Sequence, residues 1–261
     1  MGAGIAILVL KQGNAMRTLA PAQKSNAQQV ICGSPGRPAA GVVIAATALI
    51  PDPAGVLYWP EEGALVVADL HLEKGSSFAA RGMLLPPYDT AATLARLARV
   101  VARYAPRLII ALGDSFHDGE GPSRMAATDR AALLDLQRGR DWIWLAGNHD
   151  PAPADGVGGS CAALLALGPL VFRHEPSAAG EGEIAGHLHP MARIAVRGRH
   201  ISRRCFVTDG SRIVMPAFGA YAGGLNVRHH AFAALFGGSF VAHLLGERRI
   251  YAFAASRCLA D

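Results

Sequence analysis

Apolar runs of strand length recur along the chain from residue 41 onward, separated by polar, glycine-rich or proline-rich segments. Short apolar runs bounded by such segments are typical of strands in a packed sheet. In the first half of the chain they predict five strands, at residues 41–50, 55–59, 64–71, 107–114 and 141–150.

Two of the intervening stretches have the period of a helix. Residues 88–105 predict a helix that Asp89 or Thr90 can cap, and a second helix is expected around residues 123–138. The apolar face of the first consists of Leu94, Leu97 and Val101. Its opposite face carries an arginine stripe, which is most often a solvated surface, although a contact with DNA is the alternative.

The second half of the chain has a different rhythm, because strands follow one another directly. A proline- and glycine-rich loop at 151–160 comes first. Short strands are expected near residues 168–173, 182–186, 192–196, 205–208, 212–216, 239–244 and 249–254. Strands that first alternate with helices and then run consecutively indicate an α/β protein with two packed sheets and helices outside.

Composition agrees with a folded domain. Hydrophobic residues make up 51% of the 261 positions and charged residues 17%, which excludes wholesale disorder. The four cysteines form no CxxC pair, so they suggest neither a thiolate zinc site nor a disulfide framework. A reducing cytoplasm is the expected location.

The first 40 residues differ from the rest. They are predicted to be a disordered tail, followed by one folded domain at 41–261, because residues 12–29 are polar and lack periodicity. The apolar stretch 4–10 is too short to span a bilayer and follows no basic residue, so neither a membrane segment nor a signal peptide is expected. Met16 is an alternative start.

The net charge of +5 is weak evidence for a polyanionic partner such as a nucleic acid. The tail supplies four basic residues and no acid, so the remaining 221 residues, with 21 basic and 20 acidic side chains, are almost neutral. One segment stands out: residues 193–212 hold six arginines against the single acid Asp209. We expect two of them, Arg203 and Arg204, to contact a polyanionic substrate.

Polar side chains that could bind metal or catalyse a reaction lie where the apolar runs end. Asp69 and His71 close the third predicted strand, and since side chains alternate along a strand, residues two apart are expected on one face. An ordinary Asp–His hydrogen bond would explain that pair alone. Four more polar clusters favour a metal site over such a hydrogen bond. They contain Asp114 in GDSFHD, Asn148 in GNHD, His174 in VFRHEP, and His187 with His189 in GHLH. The strand ends would bring them to one edge of the sheets.

The donors suit metal ions. Two carboxylates, one amide and four imidazoles are too many for one tetrahedral ion and fit two divalent ions bridged by a carboxylate. Nitrogen and oxygen donors without thiolate favour manganese, with iron or zinc as alternatives, over magnesium or calcium.

The order D-x-H, GD, GNHD, H, GHxH resembles the calcineurin-like metallophosphoesterase superfamily. The phrases VADLHLEKGSSFAARG, ALGDSFHD, LAGNHD, GHLHP and MPAFGAYAGGL are similar to the bacterial ligase-associated DNA damage response endonucleases, the PdeM family, over about residues 42–254. The phosphatase branch typically reads GDxVDRG, whereas GDSFHD is closer to the double-strand-break-repair nucleases. This difference favours phosphodiester over phosphoprotein substrates.

The resemblance implies a four-layer αββα sandwich and a division of the donors. One metal would be held by Asp69, His71 and His189. The other would be held by Asn148, His174 and His187. Asp114 would bridge the two ions, and His149 would face the leaving group.

Several further residues are assigned roles. Since a DNA alkoxide leaves poorly, His149 is the expected proton donor, with His117 the second candidate and Asp150 of the same GNHD motif placed with them. A histidine hydrogen-bonded to Asp118 is the plain alternative for His117. Two residues near the first ligands, Lys74 and Arg81, are candidates for phosphate contacts.

The predicted function is a manganese-dependent DNA endonuclease of repair, in which a metal-activated hydroxide attacks the phosphodiester in line. The resemblance implies single-stranded or flapped DNA as substrate, and association with an ATP-dependent DNA ligase, a helicase and a metallo-β-lactamase-fold exonuclease. A small-molecule phosphodiesterase acting on cyclic or dinucleotides is the alternative within enzymes. A non-catalytic scaffold is the third reading, but a scaffold would be expected to have lost ligands.

Overall fold

Two β-sheets packed face to face form the centre of the molecule. The structure, a computed structural model, describes residues 7–10, 41–151, 156–178 and 180–261, and only the backbone of residues 7–10. The strands are β1 (Ile7–Leu10), β2 (Val42–Ile44), β3 (Thr47–Pro51), β4 (Leu57–Trp59), β5 (Ala64–Val67), β6 (Leu108–Ala111), β7 (Asp141–Leu145), β8 (Ser160–Ala162), β9 (Leu164–Leu167), β10 (Leu170–Arg173), β11 (Glu183–Ala185), β12 (Pro190–Val196), β13 (Arg199–Thr208), β14 (Arg212–Val214), β15 (Leu225–Asn226), β16 (Val241–Leu245) and β17 (Ile250–Ala254). The helices are α1 (Lys74–Ala80), α2 (Asp89–Tyr104), α3 (Gly121–Arg124), α4 (Ala127–Gln137) and α5 (His230–Phe236), and a 3₁₀ turn spans Ala255–Arg257.

The first sheet has the order β2-β3-β4-β5-β6-β7-β8. Strands β5, β6, β7 and β8 run parallel, with Leu65 beside Ile109 and Ile109 beside Trp142. All four residues of β5 and of β6 are buried, as expected for parallel strands covered on both faces.

The second sheet has the order β1-β9-β10-β11-β14-β13-β12-β15. Its ten strands include β16 and β17, which join through β13. Strands β10, β11 and β14 run parallel. The long strand β13 pairs with β12 through its first half and lies between β14 and β16 through its second half.

Three hydrophobic clusters define the layers. The central cluster joins Val66 and Ile110 of the first sheet to Phe172 and Ile184 of the second. On the outer face of the first sheet, Leu65 and Ile109 pack against α2 and α4, and on the outer face of the second, β13, β14 and β16 pack against Phe232 and Phe236 of α5. The four-layer αββα sandwich expected from the resemblance is therefore confirmed.

Within each sheet the carboxyl ends of β5, β6 and β7, and those of β10 and β11, lie at one edge because these strands run parallel. Asp69 after β5 and His189 after β11 lie together, so the two edges meet. The candidate donors follow these five ends.

Several predicted elements differ from the structure. Residues 41–50 form a hairpin, β2–β3, because Ala45 and Ala46 both have positive φ (46° and 63°) and turn the chain without the glycine that such turns favour. Neither Asp89 nor Thr90 caps α2, whose N-cap is Tyr88. Both side chains bind the start of α1 instead, where they accept hydrogen bonds from the backbone N–H groups of Gly75 and Glu73.

The amino-terminal segment contains a strand that was not predicted. Ile7–Leu10, expected to belong to a disordered tail, forms β1 and pairs in parallel with β9. The remainder of residues 1–40 lies outside the described residues. Within the part of the chain that the structure describes, no helix is long and apolar enough to cross a membrane.

Candidate metal centre

Seven candidate donor side chains lie together where five strands end. Asp69 and His71 follow β5, Asp114 follows β6, and Asn148 follows β7. The second sheet supplies the other three, His174 after β10 and His187 and His189 after β11. The two sheets therefore both contribute to one site.

The first group consists of Asp69, His71 and His189, whose donor atoms all lie within 4.8 Å of one another. The Nε2 atoms of His71 and His189 are 3.2 Å apart, and His189 Nε2 is 3.4 Å from Asp69 Oδ1. Asp69 is fully buried and His71 nearly so.

The second group consists of Asp114, His174 and His187, again within 4.8 Å. His187 Nδ1 lies 3.1 Å from His174 Nε2, and His174 Nε2 lies 3.4 Å from Asp114 Oδ1. Asn148 Oδ1 joins this group, at 2.8 Å from His174 Nε2 and 3.0 Å from His187 Nδ1.

Asp114 faces both groups. Its Oδ1 is the oxygen near His174, whereas its Oδ2 lies 4.0 Å from Nε2 of His71 in the other group. One carboxylate thus presents an oxygen to each cluster, which is the arrangement that a ligand shared by two cations requires.

The backbone reaches this arrangement by a route other than strand alternation. Strand β5 ends at Val67, before Asp69 and His71, and both of these residues have positive φ (53° and 43°). Asp114, His187 and His189 also have positive φ, at 46°, 69° and 44°. Left-handed backbone at non-glycine residues costs about 1–2 kcal/mol each and concentrates where surrounding structure enforces it, often at functional sites. The expectation that alternation along a strand aligns Asp69 with His71 was wrong.

Neighbouring groups orient the donors. The Nδ1 of His174 lies 2.8 Å from the carbonyl oxygen of Leu112, which favours the Nδ1–H tautomer and leaves Nε2 free as a donor atom. The backbone N–H of His187 donates to the Asp69 carboxylate. Gly113 packs so closely that a Cβ there would lie 2.8 Å from the His174 ring.

The pKa values of the buried candidate donors shift in different directions. Burial, aided by the charge of His189, lowers the pKa of His71 to about 3. Burial also opposes protonation of His174, but the hydrogen bond and charge of Asp114 and the charge of Asp69 raise its pKa to about 9. Burial raises the pKa of Asp114, yet the hydrogen bond and charge of His174, together with the backbone N–H of His149 and the charge of His71, lower it to about 2. Asp114 is therefore ionised although it is buried, and its carboxylate attracts positive charge to the site.

The donor set fits two divalent cations. Among the described residues, every ion-pair partner of Asp69 and Asp114 is a histidine, so no lysine or arginine neutralises these buried carboxylates. Imidazole, carboxylate and amide donors without thiolate suit manganese, iron or zinc. Each of the two clusters could hold one ion.

Comparison with known proteins agrees with this geometry. The sequence profile of the calcineurin-like phosphoesterases matches residues 64–201, which contain all seven donors. The chain belongs to the calcineurin-like phosphoesterase family. A solved structure, that of the Pseudomonas putida nuclease MPE, shares 28% sequence identity with a TM-score of 0.62, and the match covers 81% of this chain and 98% of that chain. No curated protein sequence matches the chain.

His149 and His117 form the edge of this phosphoesterase site. The two rings stack at 5.2 Å between centroids, and the Nδ1 of His149 lies 2.8 Å from the carbonyl oxygen of His117. The Nε2 of His149 lies 4.0 Å from Asp114 Oδ2, and its side chain is 39% exposed. The Asp118 carboxylate accepts from Arg124 and from the Glu120 backbone N–H. No hydrogen bond from His117 to Asp118 is found among the described residues, where Nδ1 of His117 has no hydrogen-bond partner.

Asp150, which was grouped with the catalytic candidates, contacts the backbone of the loop that carries Asp114. Its Oδ2 accepts hydrogen bonds from the backbone N–H groups of Ser115 and Phe116, directly after Asp114. Burial, together with the charge of Asp114, raises the pKa of Asp150 to about 6 against these two hydrogen bonds. The geometry makes it a positioning residue for the Asp114 loop.

The predicted substrate contacts have different surroundings. Lys74 begins α1, where its Nζ donates to the carbonyl oxygen of Tyr221 at 3.1 Å, and Arg81 is exposed just after α1. Arg203 is exposed on β13. Its neighbour Arg204 is half-buried and donates to the carbonyl oxygens of Ala217 and Ala222, so it anchors the 217–222 loop.

That loop was missed by sequence reasoning, although its phrase MPAFGAYAGGL was noticed. The N–H groups of Phe218 and Gly219 donate to the carbonyl oxygens of Ala68 and Asp69, so the loop supports the first cluster. Glu73, which lies between His71 and α1, is held by side chains of α1 and α2. Its carboxylate accepts from Thr90 and Ser76. The segment after Asp69 and His71 is thereby fixed from both sides.

Proposed function

We propose that this protein is a phosphodiesterase that uses two divalent metal ions and acts as a DNA endonuclease. The observation that carries the proposal is the position of Asp114, with one carboxylate oxygen toward each donor cluster. Asp69, His71 and His189 would hold one ion, and Asn148, His174 and His187 the other.

When bound, two divalent ions lower the pKa of water, so that hydroxide is available near neutral pH, and neutralise charge on phosphoryl oxygens. The protein positions three of the seven candidate donors through these contacts: Leu112 orients His174, Asp150 fixes the loop after Asp114, and the 217–222 loop supports Asp69. With two carboxylates against four positive charges, the loaded site would attract an anionic diester.

His149 is suited to protonate the leaving group. The Nδ1–H group of His149 donates a hydrogen bond to the carbonyl oxygen of His117. The other ring nitrogen, Nε2, therefore faces the site. A proton on Nε2 can then pass to the departing alkoxide. His117 is less suited to this task, since burial and the charge of Lys74 lower its pKa.

DNA is the proposed substrate on three grounds. The structural neighbour is a nuclease, the GDSFHD motif departs from the phosphatase pattern, and Lys74, Arg81 and Arg203 supply positive charge for a phosphate backbone. Manganese is the proposed metal because the donors mix nitrogen and oxygen without sulfur.

We further propose a cytoplasmic role in DNA repair, together with an ATP-dependent DNA ligase, a helicase and a metallo-β-lactamase-fold exonuclease. This part of the proposal rests on the sequence phrases that resemble the ligase-associated endonucleases. Loss of damage resistance on deletion of the gene, restored by the wild-type chain and not by Asp114→Ala, would test it.

A substrate panel tests the activity itself. Linear and circular single-stranded DNA, duplex plasmid, cyclic nucleotides and dinucleotides would be incubated with manganese, magnesium, zinc or calcium. Cleavage of circular single strands with manganese, absent from Asp114→Ala, is the expected result. Turnover of nucleotides alone would favour the small-molecule phosphodiesterase, and no turnover of any diester would favour the scaffold.

A further inference from the structure

An open groove of about 450 Å³ lies beside the candidate metal centre. It is lined by Lys74, Phe78, Leu85, Pro86 and Tyr221. Four of these five side chains are apolar or aromatic, and the fifth is a cation. None of them is among the seven candidate metal ligands.

The groove is continuous with the metal centre through a row of rings. The Phe78 ring lies 5.7 Å from that of His117, and the His117 ring lies 5.6 Å from that of the candidate ligand His71. The Phe78 and His117 rings therefore connect the groove to the first donor cluster, so that one nucleotide could extend from the groove toward a phosphoryl group held at the metals.

Hydrogen bonds hold the walls of the groove in position. The Tyr221 hydroxyl donates to the carbonyl oxygen of Pro86 at 3.0 Å, and Lys74 Nζ donates to the carbonyl oxygen of Tyr221. The ammonium group lies 5.8 Å from the centroid of the Phe78 ring. An ammonium has three N–H donors, so Lys74 can hold Tyr221 and still contact a phosphate.

We propose, resting on the phosphodiesterase function above, that this groove binds one unpaired nucleobase next to the scissile phosphate. Aromatic side chains and a cation, beside a site for phosphoryl groups, match a nucleoside with its adjoining phosphate. In a duplex the faces of each base are covered by its neighbours, so only an unstacked base can enter. The groove would thus select single strands at the point of cleavage.

Dinucleoside monophosphates give the sharpest test, because each contains a single phosphodiester bond. Thymidylyl-thymidine would be compared, with the manganese-loaded protein, with two analogues in which either the 5′ or the 3′ base is replaced by hydrogen. Stacking of one base changes rates or affinities by about 5- to 150-fold. We expect the loss of one particular base to lower kcat/KM by that factor in the wild-type protein.

Variants connect the effect to the groove. Phe78→Leu and Tyr221→Leu should cut thymidylyl-thymidine as slowly as the wild type cuts the sensitive analogue, and should show no further loss on that analogue. Tyr221→Phe keeps the ring and should retain the preference. Tyr251→Leu, which removes an exposed aromatic ring from β17, is the matched control and should behave as wild type.

Two results would overturn the groove proposal while leaving the phosphodiesterase intact. One is equal cleavage of all three substrates by the wild type. The other is an equal loss on all three in both leucine variants, which would mean that these side chains only support His117 or the fold. Failure of the wild type to cleave any of the three, or bis(4-nitrophenyl) phosphate, would instead overturn the proposed function and the groove proposal with it.

Discussion

At the scale of single residues, His149 and Asn148 are neighbours with different tasks. If His149 protonates the leaving group, its value depends on how strongly that group needs a proton. His149→Ala should therefore lower DNA cleavage by about 10²–10⁴-fold, the usual worth of general acid catalysis. Hydrolysis of bis(4-nitrophenyl) phosphate, whose nitrophenolate leaves without a proton, should fall far less.

Asn148→Ala serves as the comparison, because loss of a proposed metal ligand should lower the hydrolysis of both substrates alike. Steady-state kinetics of both variants on both substrates decide the matter. Equal losses for His149→Ala would assign His149 to support of the metals or the fold, and would make His117 the next candidate for the acid.

Gly147 tests how tightly the Asp114 loop is held. A Cβ at this position would lie 2.2 Å from the backbone nitrogen and from Oδ1 of Asp114, so Gly147→Ala must displace the loop. We expect a loss of about 1–3 kcal/mol in the free energy of unfolding and weaker manganese binding. Denaturant melts and metal titration would measure both.

Gly119→Ala is the matched control, since no atom lies within 4 Å of a Cβ built there. Unchanged metal affinity in Gly147→Ala would contradict the close packing around Asp114.

Residue identities were easier to predict than their geometry. The order of polar motifs after apolar runs singled out seven candidate donors that lie together in the structure, because each ligand type has a recognisable chemistry and position. The left-handed backbone at Asp69, His71 and Asp114 could not be predicted, since positive φ is uncommon even for Asp and His, which adopt it more often than most non-glycine residues, and tertiary contacts impose it here. Asp150 was misplaced for a similar reason: its partners are backbone N–H groups 34 and 35 residues away.

At the scale of elements, strand β13 places two adjacent arginines in different surroundings. Arg203 is exposed and Arg204 anchors the 217–222 loop. Replacing Arg203 with alanine should lower the salt dependence of single-strand binding by about 0.7 in the log–log slope, without affecting thermal stability.

Arg204→Ala should do the reverse. Each of the two lost hydrogen bonds should lower the free energy of unfolding by no more than about 1.5–3 kcal/mol, because the donor is charged. The salt slope should change little. Fluorescence anisotropy at several salt concentrations and thermal melts would separate the pair. A flattened slope in Arg204→Ala alone would return the phosphate contact to Arg204.

Helices and strands with a clear period were predicted well, and elements defined by partners were not. Strands β5, β6 and β7 and helix α2 were found because both faces, or one face, of each are consistently apolar. The hairpin β2–β3 and the contacts between the starts of α1 and α2 depend on residues distant in sequence or on unusual turn residues. No local sequence pattern predicts the hairpin or these contacts.

At the scale of the whole molecule, the strand β1 changes the expectation for the first 40 residues. None of the seven donors lies there, so a variant that begins at Gly41 should keep its metals and its nuclease activity. It should lose some stability, because strand β9 loses the pairing with β1, keeps only β10 and becomes an edge. Metal analysis, cleavage assays and thermal melts would check this, and a folded variant without activity would show that the segment contributes to function.

The central claim is that the two sheets together hold two metal ions with Asp114 between them. Elemental analysis of the protein after manganese loading and desalting tests it most directly, with Glu247→Ala, an exposed acid between β16 and β17, as the control. We predict two ions per chain in the wild type and in the control, and loss of the metal and of all activity in Asp114→Ala. A single ion in the wild type, or two ions retained by Asp114→Ala, would contradict the account.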